Sequence, residues 1–227
     1  MRPTILIADD HRLFAEGLRS MLSPSYEIVG VVSNGRELTG LATQCKPDLI
    51  LADLSMPLLN GLGAVQILAE TGLRSKYVIL TMYLDVNLAL QAFRAGASGF
   101  ILKTTSADEL HKALQIVYKG GCYLSPQFPC DLVTLLAEAA RRPGTDRSPR
   151  LTRRQREVLQ LVAEGKIMKE VAAQLNISTR TAESYKYHLM DTLAIKTNAE
   201  LVQYAIKIGL VIVNPLDSST KPFNNAA

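Results

Sequence analysis

The chain lacks the features that send a protein out of the cell or into a membrane. No apolar run approaches the roughly 18 to 20 residues of a membrane span. Met1-Arg-Pro-Thr4 leads straight into a strand pattern, without a signal-like segment. Cysteine is scarce: Cys45, Cys122 and Cys130 are odd in number and lack metal-ligand spacing, so a reduced, cytoplasmic location is the simplest reading. No G-x-G-x-x-G follows the first strand, which argues against a dinucleotide-binding enzyme, and there are no internal repeats. Charge of one sign is also in small excess. Lys plus Arg against Asp plus Glu number 11 and 11 over residues 1–125, 4 and 3 over 126–150, and 10 and 7 over 151–227, so the last third carries 3 of the net +4. So mild an asymmetry points to nucleic acid only when a motif accompanies it.

A length of 227 residues suits two domains, each with its own core. Up to about residue 120, short apolar runs alternate with segments of helical period. Strands are expected near 4–8, 27–32, 48–53, 77–82 and 99–102, each followed by a helix. Five strands and five helices in that order define an α/β, doubly wound parallel sheet. The fifth helix opens on a capping box, Ser106-Ala-Asp-Glu109, and stops at Gly120-Gly121. Residues 131–142 read as one more helix, and 141–150, with two prolines and no periodicity, read as a hinge. After Leu151 only helical patterns remain, and the polar stretch 214–227 has little to bury.

Four apolar runs end in polar groups: Asp9-Asp10, Asp53, Thr81 and Lys103. Ligands bind beyond the carboxyl ends of the strands in an open α/β sheet, so three carboxylates, a hydroxyl and an ammonium would share one pocket. That set can bind a divalent cation and a phosphoryl group. Three carboxylates brought together without a cation repel one another, which implies a raised pKa or a bound metal. His11 beside the pair is read as a structural or surface residue, because a neutral imidazole is a poorer magnesium ligand than oxygen. Gly61 fits a turn after Asp53 that a β-carbon would obstruct.

Asp9-Asp10, Asp53, Thr81, Phe100 and Lys103, in this order at strand ends, resemble the receiver domain of two-component response regulators. The resemblance implies a flavodoxin-like fold over residues 1–122, with Asp53 as phosphoacceptor for a sensor histidine kinase. It assigns Mg²⁺ to Asp9, Asp10, Asp53 and the Ser55 carbonyl, a set suited to a cation that prefers oxygen. Lys103 supplies a compact positive charge, and Thr81 donates to a phosphoryl oxygen as the ring at Phe100 turns inward. The family's proline after the lysine is replaced by Thr104. Family patterns also place Ser55 and Tyr83 where side chains influence the lifetime of the acyl phosphate.

In the second domain, expected over 151–213, a capping box at Thr152 and Gln155 starts one helix. A short helix over 169–175 and a turn at Asn176-Ile177 then lead to a helix capped by Ser178. Helix, tight turn and capped helix is a helix-turn-helix pattern. The stretch resembles the LuxR-type DNA-binding domain, and the two halves together resemble the NarL/FixJ class of response regulators. Glu183, Ser184 and Tyr187 share one helix face and are candidates for reading bases. Arg180, Thr181 and Lys186 suit phosphates, while Ala182, Leu189 and Leu193 turn to the bundle. Thr192 and Met168 stand where the family usually has a basic residue and asparagine. Residues 200–207 form an amphipathic helix that the resemblance makes a dimer contact, and burial in its own domain is the plain alternative.

The expectation is a phosphorylation-controlled transcription regulator that binds double-stranded promoter DNA, as a homodimer when phosphorylated, with no membrane contact. Two rivals are a regulator whose receiver only dimerises, independent of phosphate, and a magnesium phosphatase. Ser55 stands where such phosphatases carry a second aspartate.

Overall fold

The computed structural model of the chain describes residues 2–129 and 151–211. The helix expected over 131–142, the hinge and the C-terminal tail lie outside the described residues. The first domain runs β1 (Thr4–Ala8), α1 (Arg12–Leu22), β2 (Glu27–Val32), α2 (Gly35–Cys45), β3 (Leu49–Asp53), α3 (Gly61–Glu70), β4 (Lys76–Thr81), α4 (Val86–Arg94), β5 (Ala97–Leu102), α5 (Ala107–Tyr118) and β6 (Tyr123–Leu124). All neighbouring strands are parallel, in the order β2-β1-β3-β4-β5-β6.

The alternation within each strand divides the core in two. Leu6, Ile50, Ile79 and Phe100 face α2, α3 and α4. Ile5, Ile7, Leu51, Val78 and Ile101 face α1 and α5. Both faces are covered, which is why these strands read as unbroken apolar runs. Each large side chain fully buried in this way contributes about 1.5 to 3 kcal/mol.

Two expectations are corrected. The sheet has six strands, not five: Tyr123 and Leu124 pair with Gly99 and Phe100, a run too short to carry a period-2 signal. At the start of α5, Ser106 Oγ accepts from Glu109 N at 3.3 Å as expected, but the Glu109 carboxylate accepts from the Tyr123 hydroxyl. The sixth strand thus takes the group that was to complete the capping box. Gly120, at φ +91°, closes α5 in the left-handed region as anticipated.

The second domain comprises α6 (Arg153–Ala163), α7 (Met168–Leu175), α8 (Thr179–Leu193) and α9 (Asn198–Lys207). Thr152 and Gln155 form the full capping box of α6, and Ser178 Oγ accepts from Thr181 N at 3.1 Å to cap α8. Asn176, at φ +52°, ends α7. Leu159, Val171, Leu175, Ala182, Leu189 and Leu201 form the common core. No helix among the described residues is long and apolar enough to cross a membrane.

The two domains meet through polar groups. Arg36, in the first turn of α2, donates from Nε and Nη2 to Glu157 Oε1 and Oε2 at 3.0 and 2.7 Å. Arg153 and Arg154 approach the same carboxylate at 3.2 and 2.8 Å. Arg156 donates to Gln66 on α3, and Gln91 on α4 donates to the Lys207 carbonyl at 2.9 Å. Gln160 reaches the loop after β3, and Asn60 reaches the end of α9. Burial alone would raise the Glu157 pKa, but hydrogen bonds from Arg36 and Arg154 outweigh it and hold the carboxyl below its ordinary range.

A depressed folded-state pKa stabilises fully above the unfolded value and is lost as pH falls through the folded one. Glu157→Gln is expected to lower stability at pH 7 by about 3 kcal/mol, the lower end for breaking a buried pair, because the guanidiniums keep some water. Urea titrations of both proteins should then converge as pH drops below the ordinary carboxyl value of 4.5. A difference that stayed constant with pH would exclude the ion pair as its source.

Candidate phosphoacceptor site and DNA-facing helix

The parallel sheet brings the expected groups together. Asp53 closes β3 and Asp9 follows β1, both buried among apolar strands, and Asp10 stands beside them at the surface. Lys103, just past β5, places Nζ 2.7 Å from Asp9 Oδ2 and 2.9 Å from Asp53 Oδ2. Its ammonium also lies 4.7 Å from the centre of the Phe14 ring, a cation–π contact that the sequence reading missed. Ser55 N donates to Asp53 Oδ1 at 3.3 Å.

The electrostatics refine the expectation of a raised pKa. Asp53 is raised chiefly by burial, repulsion from Asp9 adds to this, and Lys103 opposes it. For Lys103, burial favours the neutral amine, yet its contacts with Asp9 and Asp53 prevail and hold it above the ordinary value. Three carboxylates and one ammonium leave the site two charges negative, which one divalent cation would balance. Donor atoms of Asp9, Asp10, His11 and Asp53 lie within 4.8 Å of one another. Asp9 Oδ2 is buried and, despite its ionic contact with Lys103, has no well-directed hydrogen bond. Both observations fit a hard, oxygen-preferring cation. His11, expected as a structural or surface residue, is exposed; its Nδ1 lies 2.9 Å from Asp10 Oδ1 and its backbone N–H donates to Asp9 Oδ1. It orients the aspartate pair.

Thr81 ends β4 fully buried, and its Oγ1 accepts from Tyr83 N at 3.0 Å, a local turn bond. Phe100 is wholly buried, its ring edge-on to that of Phe128 with centres 5.6 Å apart. Gly61 folds the exit from β3 back on itself: Gly61 N donates to Leu54 O at 3.1 Å. A β-carbon on Gly61 would stand 2.1 Å from Asp53 O, so glycine is required for close approach.

On α8, Arg180, Thr181, Glu183, Ser184 and Tyr187 are exposed and Lys186 is half-buried. Tyr187 is 63% exposed and offers an apolar surface. Ala182 and Leu189 are buried in the bundle, with Leu193 packed beside them. The Thr181 hydroxyl shares a 2.8 Å hydrogen bond with Ser178 Oγ, and Thr192 Oγ1 donates back to His188 O at 2.7 Å. Thr192 therefore spends its hydroxyl on its own helix where a basic residue is usual. Met168 packs against the core in place of asparagine. On α9, Leu201 and Ala205 are buried within the domain while Gln203 and Ile206 remain outside. Among the described residues, the receiver touches α6 and the end of α9 and leaves the face of α8 that carries Glu183, Ser184 and Tyr187 exposed.

Residues 5–115 match the response regulator receiver domain family, and residues 149–205 match the bacterial regulatory proteins of the luxR family. A receiver joined to such a domain defines a phosphorylation-controlled, DNA-binding transcription regulator, not an enzyme. The chain belongs to this class of two-component response regulators. It is 35% identical over 212 residues to the oxygen regulatory protein NreC of Staphylococcus carnosus (strain TM300), spanning 89% of this chain and 96% of that one. Among solved structures it resembles a LuxR-family response regulator from Aurantimonas sp. SI85-9A1, with a TM-score of 0.55 and 28% identity over 63% of this chain and all of that one. It also resembles the response regulator RcsB in complex with DNA, with a TM-score of 0.53 and 25% identity over 91% of this chain and 99% of that one.

Gly61→Ala is expected to destabilise the fold by about 1 to 3 kcal/mol, the usual penalty for forcing an extra carbon into a packed site. Chemical denaturation measures it. Unchanged stability would mean that the loop after β3 yields freely.

Proposed function

We propose that Asp53 accepts a phosphoryl group from the phosphohistidine of a sensor histidine kinase, and that the modified, cytoplasmic protein binds promoter DNA as a homodimer. One observation carries the assignment of the acceptor: Asp53 is the buried carboxylate that Lys103 ties to Asp9, within reach of the other acidic donors. One carboxylate oxygen of Asp53 attacks phosphorus as the bond from phosphorus to the imidazole nitrogen breaks, and that nitrogen keeps the electron pair. Asp9, Asp10, Asp53 and the Ser55 carbonyl would hold Mg²⁺, which supplies charge neutralisation for the phosphoryl oxygens. Lys103 stays within reach of the transferred group as the second positive charge. Thr81, released from Tyr83 N, turns its hydroxyl to a phosphoryl oxygen beside the inward ring of Phe100.

On DNA, Glu183, Ser184 and Tyr187 read base edges while Arg180, Thr181 and Lys186 hold phosphates. The outward placement of most of these side chains supports the reading. A domain with so small a positive excess, and with Thr192 in place of a cation, gains affinity by pairing on adjacent half-sites.

Incubation with Mg²⁺ and acetyl phosphate, followed by intact mass, should give a phosphoryl adduct on wild type and none on Asp53→Ala. Equal labelling of both would reassign the acceptor. Lys186→Ala should weaken binding to all DNA and reduce the salt slope by about one, whereas Glu183→Ala should cost specificity, at about 1 to 3 kcal/mol for the affected base. Equal losses for Glu183→Ala on specific and random duplexes would remove Glu183 from base reading.

A further inference from the structure

His11 has no task in the fold that calls for an imidazole. It stands just before the first turn of α1, where serine, threonine, aspartate or asparagine would cap the helix, yet its side chain makes no capping hydrogen bond. The side chain is 70% exposed, so it fills no core. Its polar contacts among the described residues run to the acidic pair alone: Nδ1 lies 2.9 Å from Asp10 Oδ1 and 3.5 Å from Asp9 Oδ1.

Those separations have a chemical reading. Donors bonded to one ion at about 2.0 to 2.1 Å stand about 3.0 Å apart across a right angle, and about 3.4 Å apart across a tetrahedral one. The ring nitrogen therefore sits where a shared ion needs it. Asp9, Asp10, His11 and Asp53 each bring one donor atom within 4.8 Å of the others. Asp9, 2% exposed, keeps Oδ2 without a well-directed hydrogen bond even beside Lys103. The side chains of Asp10 and His11 open to solvent, which gives an ion its way in.

We propose that His11 Nδ1 joins Asp9, Asp10 and Asp53 as a metal ligand, so that the pocket takes a borderline divalent ion of the cobalt, nickel and zinc group more tightly than its carboxylates alone would. The inference rests on the metal-binding role given to those aspartates above, and goes beyond magnesium. Imidazole adds little for Mg²⁺, which prefers oxygen, and much for an ion that bonds nitrogen well. Nδ1 binds through its lone pair while Nε2 carries the proton. The competing use of the ring is as a counter-ion to the acidic pair. A cation there would repel any metal, so the two uses predict opposite effects of removing it.

Calorimetric titration of the full chain with Ni²⁺ separates them, with His11→Gln as the variant. That change removes the nitrogen donor at an exposed position and leaves a neutral side chain. The ratio of Ni²⁺ affinity to Mg²⁺ affinity, the latter followed by the backbone amide shift of Asp53, should fall at least about tenfold. Bound Cu²⁺ should show nitrogen hyperfine structure by electron paramagnetic resonance that is lost or reduced in His11→Gln. His111 and His188 are present in both proteins, so their contribution cancels. A shared ion also requires coupling: in an Asp10→Asn background, His11→Gln should cost much less Ni²⁺ affinity than it does alone. The proposal is overturned by a ratio that is unchanged or raised, by identical nitrogen structure in the two proteins, or by equal losses in the two backgrounds. In each of these cases Mg²⁺ binding to wild type leaves the aspartate assignment standing. A wild type that binds neither ion refutes both.

Discussion

Negative charge held out of water at one end of the sheet is the constraint on which the rest of the molecule turns. Parallel strands place their carboxyl termini together, and the apolar layers on both faces strip solvent from whatever stands there. Asp9 and Asp53 accept that position because Lys103 is built in between them. One ammonium does not neutralise three carboxylates, and the unbalanced remainder makes the site receptive to a metal and a phosphoryl group. Every other feature of the receiver guards this arrangement. The parallel order of the strands brings four strand ends into line, His11 lies against the aspartate pair, and Gly61 lets the chain leave Asp53 without a clash.

The sheet and its polar rim were legible in the sequence because each strand is short, apolar and terminated by a charged or hydroxyl-bearing residue. Periodicity could not announce β6, two residues long. Composition could not tell that Glu109 would prefer the Tyr123 hydroxyl to its own helix end. The helical domain was readable from its caps at Thr152, Asn176 and Ser178. What escaped was the interface. Arg153, Glu157, Gln160 and Glu164 recur at helical spacing on one side of α6, and a polar stripe of that kind reads as a solvated surface. Glu157, 1% exposed, is buried only because α2 presents Arg36 to it. A contact between residues 121 positions apart leaves no local signature.

The surface between the domains is made mainly of hydrogen bonds and charge pairs rather than a continuous apolar seam. Such surfaces are those across which domains of one chain move relative to each other, since water can replace many of the lost partners. Leu58, with a left-handed backbone, is one apolar group within it, beside Leu62 and Leu210. Fold and function share the loop between Asp53 and Gly61. The residues that give the receiver its chemistry lie within a few positions of those that seat the helical domain.

The open face of α8 has a consequence for the timing of a response. Arg180, Ser184 and Tyr187 are exposed among the described residues while the two domains touch, so in the function proposed above the phosphate attraction that lets a regulator hop and slide along DNA would not depend on the domains parting. Genome searching would then need no signal. Molecules already patrolling near their operators would convert a stimulus into occupancy as fast as acyl phosphate forms and partners pair, and diffusion across the cell would drop out of the delay.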